Sequence, residues 1–383
     1  MVVPSRNAFP ISRRRIVVAL AAAPLAGLCG NLVAQDAARP KRTREEMIAR
    51  AVEFLRTKGQ KSDGSYSASP RTGQAVTALV TTGLLRCGVA PSEPFVIKSL
   101  KVLEGQVQPD GSISNPKSPL QNYETSIAVM CFAEANRDGR YDSIIKNADK
   151  YLKLQIYDET DNKEKSDSYY GGSGYGGTSR PDLSNTSFLI DALKSTGNDE
   201  NSQAIQKALV FVSRCQNLES EHNSLEFAAK NPDGGFIYNP TGGGSSEAGK
   251  TDNGGLRSYG SMTYAGLKSM IYAGLKKDDK RVKAAITWLQ KNYDLDSNPG
   301  VGQAGLFYYY STMAKALEVM GDAKITDAKG AEHDWRKELI AELADRQKED
   351  GSWVNTDSKW MEGDANLVTG FALLALANCK EPK

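Results

Sequence analysis

The chain is predicted to be all-α, an (α/α)6 toroid built from six helix pairs. Three observations carry this. A helix–loop–helix unit recurs six times, and self-similarity at a fixed period marks an architecture of stacked units. Within a unit the first helix is half polar and the second nearly continuous in apolar and small residues. Ile286-Thr287-Trp288-Leu289-Gln290-Lys291 and Phe371-Ala372-Leu373-Leu374-Ala375-Leu376 illustrate the two kinds. The first kind should face solvent on one side and the second be buried all round. Finally, no run shows the sustained alternation of a half-buried strand.

The units follow in order. The first runs Ala49–Gly88, with Asp63-Gly64-Ser65-Tyr66 in its loop and an apolar helix at Ala75–Leu85. The second has Asp110-Gly111-Ser112-Ile113, then Glu124–Ala135. The third carries a glycine-rich stretch from Gly171 to Gly177 before Asn185–Leu193, and the fourth Asp233-Gly234-Gly235-Phe236, a long Gly/Ser insertion and Met262–Ala273. The fifth has degenerated to Pro299-Gly300 and Gly305-Leu306-Phe307 ahead of Ser311–Met320. The sixth has Asp350-Gly351-Ser352-Trp353, then Asn366–Ala377. These loops have a structural reading. Glycine supplies a positive φ, aspartate bonds its own backbone, and the following aromatic plugs the gap between units.

A length of 383 residues would suggest two or three domains, but six units closing into one ring make residues 35–383 a single domain. Residues 1–34 hold Arg6, Arg13, Arg14 and Arg15, no acid, and an apolar run from Ile16 to about Gly30. A basic head, a short apolar stretch and a small residue at the cut site are the features of an export signal. Cleavage is expected near Ala34, placing the protein in the periplasm or outside the cell. Ser12-Arg13-Arg14-Arg15-Ile16-Val17 also resembles the twin-arginine pattern. Loss of the four arginines takes the net charge from +2 to −2. Neither value fits a general nucleic-acid binder, which needs a basic excess to displace counterions. With only His222 and His333, a multi-histidine metal site is excluded. Cys87, Cys131, Cys215 and Cys379 remain, without a CxxC pair, and are expected to be free thiols. Aligning Thr77 with Thr369 puts Cys87 and Cys379 at equivalent depths near the ring closure. Neighbouring helix axes lie about 8–10 Å apart, whereas a disulfide needs Cα atoms within about 7 Å.

Gln347-Lys348-Glu349-Asp350-Gly351-Ser352-Trp353 resembles the repeat of squalene–hopene cyclases. Asp233-Gly234-Gly235-Phe236 and the stretch Tyr259 to Leu267 resemble protein prenyltransferase β-subunit repeats. The resemblance covers residues 45–380 and implies the terpenoid cyclase/prenyltransferase α/α toroid. Its catalytic signatures are missing. The nearest approach to the cyclases' Asp-x-Asp-Asp acid is Asp294-Leu295-Asp296-Ser297, which lacks the last acid and lies before the inner helix. The prenyltransferase zinc ligands have no Asp-x-Cys counterpart, and Tyr310-Ser311-Thr312 stands where a His-Thr would fall. No metal and no cofactor are therefore expected.

A toroid implies a cavity. Its inner helices run parallel, so their N-termini, with unpaired N–H groups and partial positive charge, converge on one mouth and should favour carboxylates or anionic ligands. The candidate catalytic residues are Asp182, Glu362 and Asp364. The candidate ligand-binding residues are Tyr123, Glu124, Tyr175, Asn185, Thr186, Tyr259, Tyr264, Tyr308, Tyr309, Tyr310 and Trp360. For each carboxylate the competing role is capping of a helix N-terminus. Three functions compete: a module binding a lipid or terpenoid-like ligand without recognisable chemistry, a cyclase-like enzyme using a cavity carboxylate as general acid, and a carbohydrate-active (α/α)6 enzyme with paired carboxylates. The expected partner is a small-molecule or lipid ligand in the barrel, with peripheral membrane contact compatible and a monomer expected.

Overall fold

The computed structural model describes residues 42–67 and 73–380; the expected export signal lies outside them. Six outer helices, α1 (Arg44–Phe54), α3 (Pro94–Glu104), α5 (Asp142–Lys153), α7 (Gln203–Arg214), α10 (Lys280–Lys291) and α12 (Trp335–Arg346), alternate with six inner ones. The inner helices are α2 (Ala75–Arg86), α4 (Gln121–Ala135), α6 (Leu183–Ser195), α9 (Gly260–Tyr272), α11 (Leu306–Met320) and α13 (Ala365–Asn378). Each inner helix packs on the next, and α13 packs back on α2, so the ring is closed. The protein is an all-α toroid. A short α8 (Glu226–Lys230) precedes the fourth Asp-Gly loop and packs Phe227 and Ala228 against Ile237 and Leu256, and a two-residue antiparallel ladder, β1 (Ile325–Thr326) with β2 (Glu332–His333), precedes α12. No helix among the described residues is long and apolar enough to cross a membrane.

Burial follows the sequence pattern. Every residue of α2 from Ala75 to Leu85 and of α9 from Gly260 to Met270 is buried, whereas α5 buries only Ala148, Tyr151 and Leu152. The Asp-Gly loops join the layers. Asp63, Asp110, Asp233 and Asp350 accept the backbone N–H two residues on, and Tyr66, Ile113, Phe236 and Trp353 plug the interior. A Cβ on Gly64 would lie 2.7 Å from the Lys98 carbonyl of the next outer helix, and one on Gly351 would lie 2.3 Å from the Arg50 carbonyl of α1. Both glycines also have positive φ, so no other residue fits without strain.

A second clamp is a threonine on the inner helix. Thr77, Thr125, Thr186, Thr263 and Thr369 accept the backbone N–H of Tyr66, Ile113, Ser173, Phe236 and Trp353 at 2.9–3.2 Å. Each buried loop N–H thereby gains a partner it would otherwise lack. In α11 the equivalent position is Tyr310. This helix starts at Leu306, five residues ahead of the expected Ser311. Gly305 forms its N-cap in the left-handed region, and a distant carboxylate, Glu362, accepts the N–H groups of Phe307 and Tyr308. The four cysteines among the described residues are free. The Cys87 thiol donates to the Leu373 carbonyl, and burial pushes Cys87 and Cys379 up to about 12.

Candidate functional site

The clamping threonines also set the lumen. Residues two positions before and after such a threonine are four apart and share the opposite helix face. The threonine points outward to its loop, so these two positions point to the barrel axis. The earlier position in the six helices is Ala75, Tyr123, Ser184, Ser261, Tyr308 and Leu367, and all six line a cavity of about 400 Å³. That size falls within the range of small-molecule sites, about 300–1,000 Å³. The later position supplies Leu79, Phe188 and Phe371, which with Tyr308 form the cavity floor.

A run of rings crosses the wall and floor of the cavity, and Ala75, Val76, Leu120 and Leu367 supply an aliphatic side. Ring centroids step from Tyr175 to Tyr123 at 5.9 Å, to Phe188 at 5.4 Å, to Tyr308 at 6.1 Å and to Phe371 at 5.8 Å. Tyr238, Tyr259 and Met262 also line the cavity. Burial raises the phenols of Tyr123, Tyr238, Tyr259 and Tyr308, which keeps them neutral. At the mouth, Trp360 and Met361 are 43% and 39% exposed and both have positive φ, a conformation that costs a non-glycine residue of order 1–3 kcal/mol. Trp360 lies on Gly305, where a Cβ would meet its ring at 2.6 Å. Lys359 sits 4.5 Å from the Trp360 centroid and pairs with Glu247, another lining residue, at 2.9 Å.

The carboxylates are occupied by the protein's own helix ends. Asp182 caps α6 through the Asn185 N–H at 2.8 Å and accepts the Asn185 side-chain amide at 2.7 Å. Burial pushes its carboxyl up to about 6, offset in part by Asn185 and the neighbouring Tyr238 hydroxyl. Asp364 caps α13 through Leu367 N–H at 2.9 Å and accepts the Ser67 hydroxyl. Glu362 has both oxygens taken, by Tyr308 N–H at 2.8 Å, Phe307 N–H at 3.2 Å and the Asn355 amide at 2.7 Å, and burial raises its carboxyl. Burial also raises Glu124, which accepts the Ser118 hydroxyl. Carboxylates of the chain itself thus meet the N-termini of α6, α11 and α13, and the cavity mouth presents rings.

Of the residues singled out in the sequence, Tyr123, Tyr175, Tyr259, Tyr308, Trp360 and Glu362 converge on the cavity. Asp182, Asn185, Asp364 and Glu124 sit behind the wall on capping and loop contacts, and Thr186 is a clamp. Tyr264, Tyr309 and Tyr310 do not line the cavity. Within a helix starting at Leu306, only Tyr308 of the tyrosine run faces the axis, because successive residues turn by about 100°. The hydroxyls of Tyr309 and Tyr310 instead donate to the carbonyls of Asp294 and Leu295, and Tyr264 packs on Tyr309 at 5.7 Å. Asp294 itself closes a turn onto Asp296 N–H at 2.8 Å. Sequence reasoning missed Phe188, Phe371, Tyr238 and Glu247. The first two were readable as the position two after Thr186 and Thr369; the others come from, or beside, the insertion. Among the described residues no three His, Cys, Asp or Glu side chains converge as metal ligands.

No family model and no curated protein sequence matches the chain. Solved structures do. A single-residue variant of the type II terpene cyclase MstE from Scytonema, in complex with geranylgeranyl dihydroxybenzoate, matches with a TM-score of 0.56 at 13% identity over 88% of this chain and 97% of that one. A polysaccharide lyase matches at TM-score 0.54 and 11% identity over 88% and 96%. An alpha-amylase from Clostridium perfringens matches at 0.54 and 13% over 88% and 99%. The shared feature is the toroid. At such identities the likeness extends to the fold, which serves several chemistries.

Proposed function

We propose that this protein is an exported toroid of the terpenoid cyclase/prenyltransferase type whose aromatic cavity binds a polyprenyl or other terpenoid-like lipid. The observation that carries the reading is the unbroken run of rings from Tyr175 to Phe371 around a cavity of about 400 Å³. Apolar and π surface of this kind rewards burial of a branched hydrocarbon. Structures of a toroid that binds geranylgeranyl dihydroxybenzoate and merosterolic acid A lend support. A carbohydrate enzyme is less well supported, because of the two lining glutamates Glu362 holds a helix end and Glu247 holds Lys359. The test is native mass spectrometry of the purified protein before and after organic extraction, followed by titration with a C20 polyprenyl alcohol. One lipid per chain is expected, together with a change in Trp360 emission that is lost in Trp360→Phe. Absence of binding, or a mass shift with an oligosaccharide instead, would sink the reading.

One observation favours a second reading, a cyclase-like enzyme. Asp182 is buried, pushed up to about 6, and adjoins Tyr238, which lines the cavity. An acid poised near the working pH suits proton donation. In that case D182N would abolish product formation from a polyprenyl substrate and leave its binding intact.

A further inference from the structure

A second chamber of about 50 Å³ lies on the barrel axis beneath the floor of Leu79, Phe188, Tyr308 and Phe371. Five residues beyond each clamp position, the inner helices supply Thr82, Met130, Asp191, Lys268, Lys315 and Leu374, and all six line it. Arg86 joins them from the last turn of α2. Three cations therefore face one carboxylate.

Their bonding leaves a defined deficit. Lys268, 5% exposed, pairs with Asp191 Oδ2, while Asp191 Oδ1 is buried and has no partner among the described residues. Arg86 is held through Nε by Glu134 at 2.6 Å, and Lys315 by Glu318 at 2.9 Å. Both cations keep further N–H groups, since a guanidinium carries five donors and an ammonium three. The neighbouring Thr82, Ser311 and Thr312 hydroxyls donate to their own helices, so the charged donors of the lining are Lys268, Lys315 and Arg86. An occupant suited to this lining accepts hydrogen bonds from Lys268, Lys315 and Arg86 and donates one to Asp191 Oδ1.

We propose that this chamber binds a small oxyanion that still carries a proton, of the hydrogen-phosphate class. It opens to solvent beside Arg86 and Lys315, whose side chains are 23% and 28% exposed. Burial, and repulsion from Lys315 and Arg86, disfavour the charged form of Lys268, and an anion among the three relieves that repulsion. The site is independent of whatever occupies the aromatic cavity, and its readouts differ from those of the lipid test. The competing role for the cations is to offset the partial negative charge of the inner-helix C-termini.

Isothermal titration calorimetry of the full chain near neutral pH, with inorganic phosphate and with sulfate, decides between the two. One phosphate per chain is expected, with sulfate at least tenfold weaker because it has no proton for Asp191. Lys315→Met should weaken phosphate at least tenfold. Glu318→Gln, at the exposed rim, should strengthen it by freeing the Lys315 ammonium. Thermal melts establish that each variant folds; if Lys315→Met does not, the phosphate-to-sulfate ratio and the direction of Glu318→Gln still decide. No heat with phosphate, equal affinity for sulfate, or indifference to Glu318→Gln would overturn the proposal and leave the cations as partners of the helix ends.

Discussion

Asp182, a candidate catalytic residue whose competing role was helix capping, caps α6 and sits behind the cavity wall. Its position before Leu183 suits an N-cap, but its distance from the lumen depends on Tyr175 and Tyr238, contributed by loops whose path no local pattern encodes. Burial lifts the carboxyl to about 6, above the ~3.9 of an exposed aspartate. The folded state thus favours the protonated form. Its contribution to stability is complete below about pH 4 and is lost as pH rises through about 6. D182N removes that dependence while keeping the cap, since asparagine caps as well as aspartate. The Asn185 amide, whose Oδ1 has no partner among the described residues, can turn to meet it. Unfolding free energies from urea titration should therefore match wild type near pH 4 and exceed it by about 1–3 kcal/mol at pH 8 or so. An unchanged difference between the two pH values would mean that Asp182 titrates as an exposed aspartate does.

At the scale of elements, the helix pairs were readable because burial imposes the 3.6-residue pattern directly on the sequence. The threonine clamps were only half readable. Thr77 and Thr369 align, but the bond each accepts comes from a loop residue 11 or 16 positions earlier, and nothing in the helix reveals it. The α11 boundary failed for the same reason: Glu362 lies 54 residues beyond the Tyr308 N–H that it accepts. The clamp has a measurable value. Thr125→Val is nearly isosteric and leaves the Ile113 N–H buried without an acceptor, at a cost of about 1–3 kcal/mol. Thr125→Ser restores the oxygen and should recover most of that loss in denaturant melts. Equal destabilisation by valine and serine would show that packing of the methyl group, not the hydrogen bond, matters at this position.

At the scale of the whole molecule, closure of the ring includes, beside the packing of α13 on α2, a contact between the last Asp-Gly loop and the first helix. Gly351→Ala drives a methyl group toward the Arg50 carbonyl, 2.3 Å from the ideal Cβ, at φ +91°. Gly88 has nearly the same φ, +96°, and nothing within 4 Å of its Cβ position. Gly88→Ala therefore measures the backbone strain alone, of order 1 kcal/mol, and Gly351→Ala should lower the melting temperature clearly further. Similar losses would mean that the seam yields to the methyl group. The ring itself was legible from six copies of one unit; the lid of Trp360 and Met361 was not, because two successive left-handed residues follow no propensity that a sequence displays.

The seam has a consequence for the order of the chain. Its contacts are of the same kind as those between other units, and the two ends of the toroid already touch, with Arg44 Nε donating to the Leu376 carbonyl at 2.7 Å. Nothing in the packing distinguishes this junction as a beginning. A circular permutant that links residue 380 to residue 42 through a short flexible linker, and opens instead between Gly242 and Gly243 at the exposed tip of the insertion, exchanges one loop closure for another at little entropic cost. It should fold to the same helix content and unfold cooperatively near the parent's midpoint, because the wheel does not record where its rim was cut.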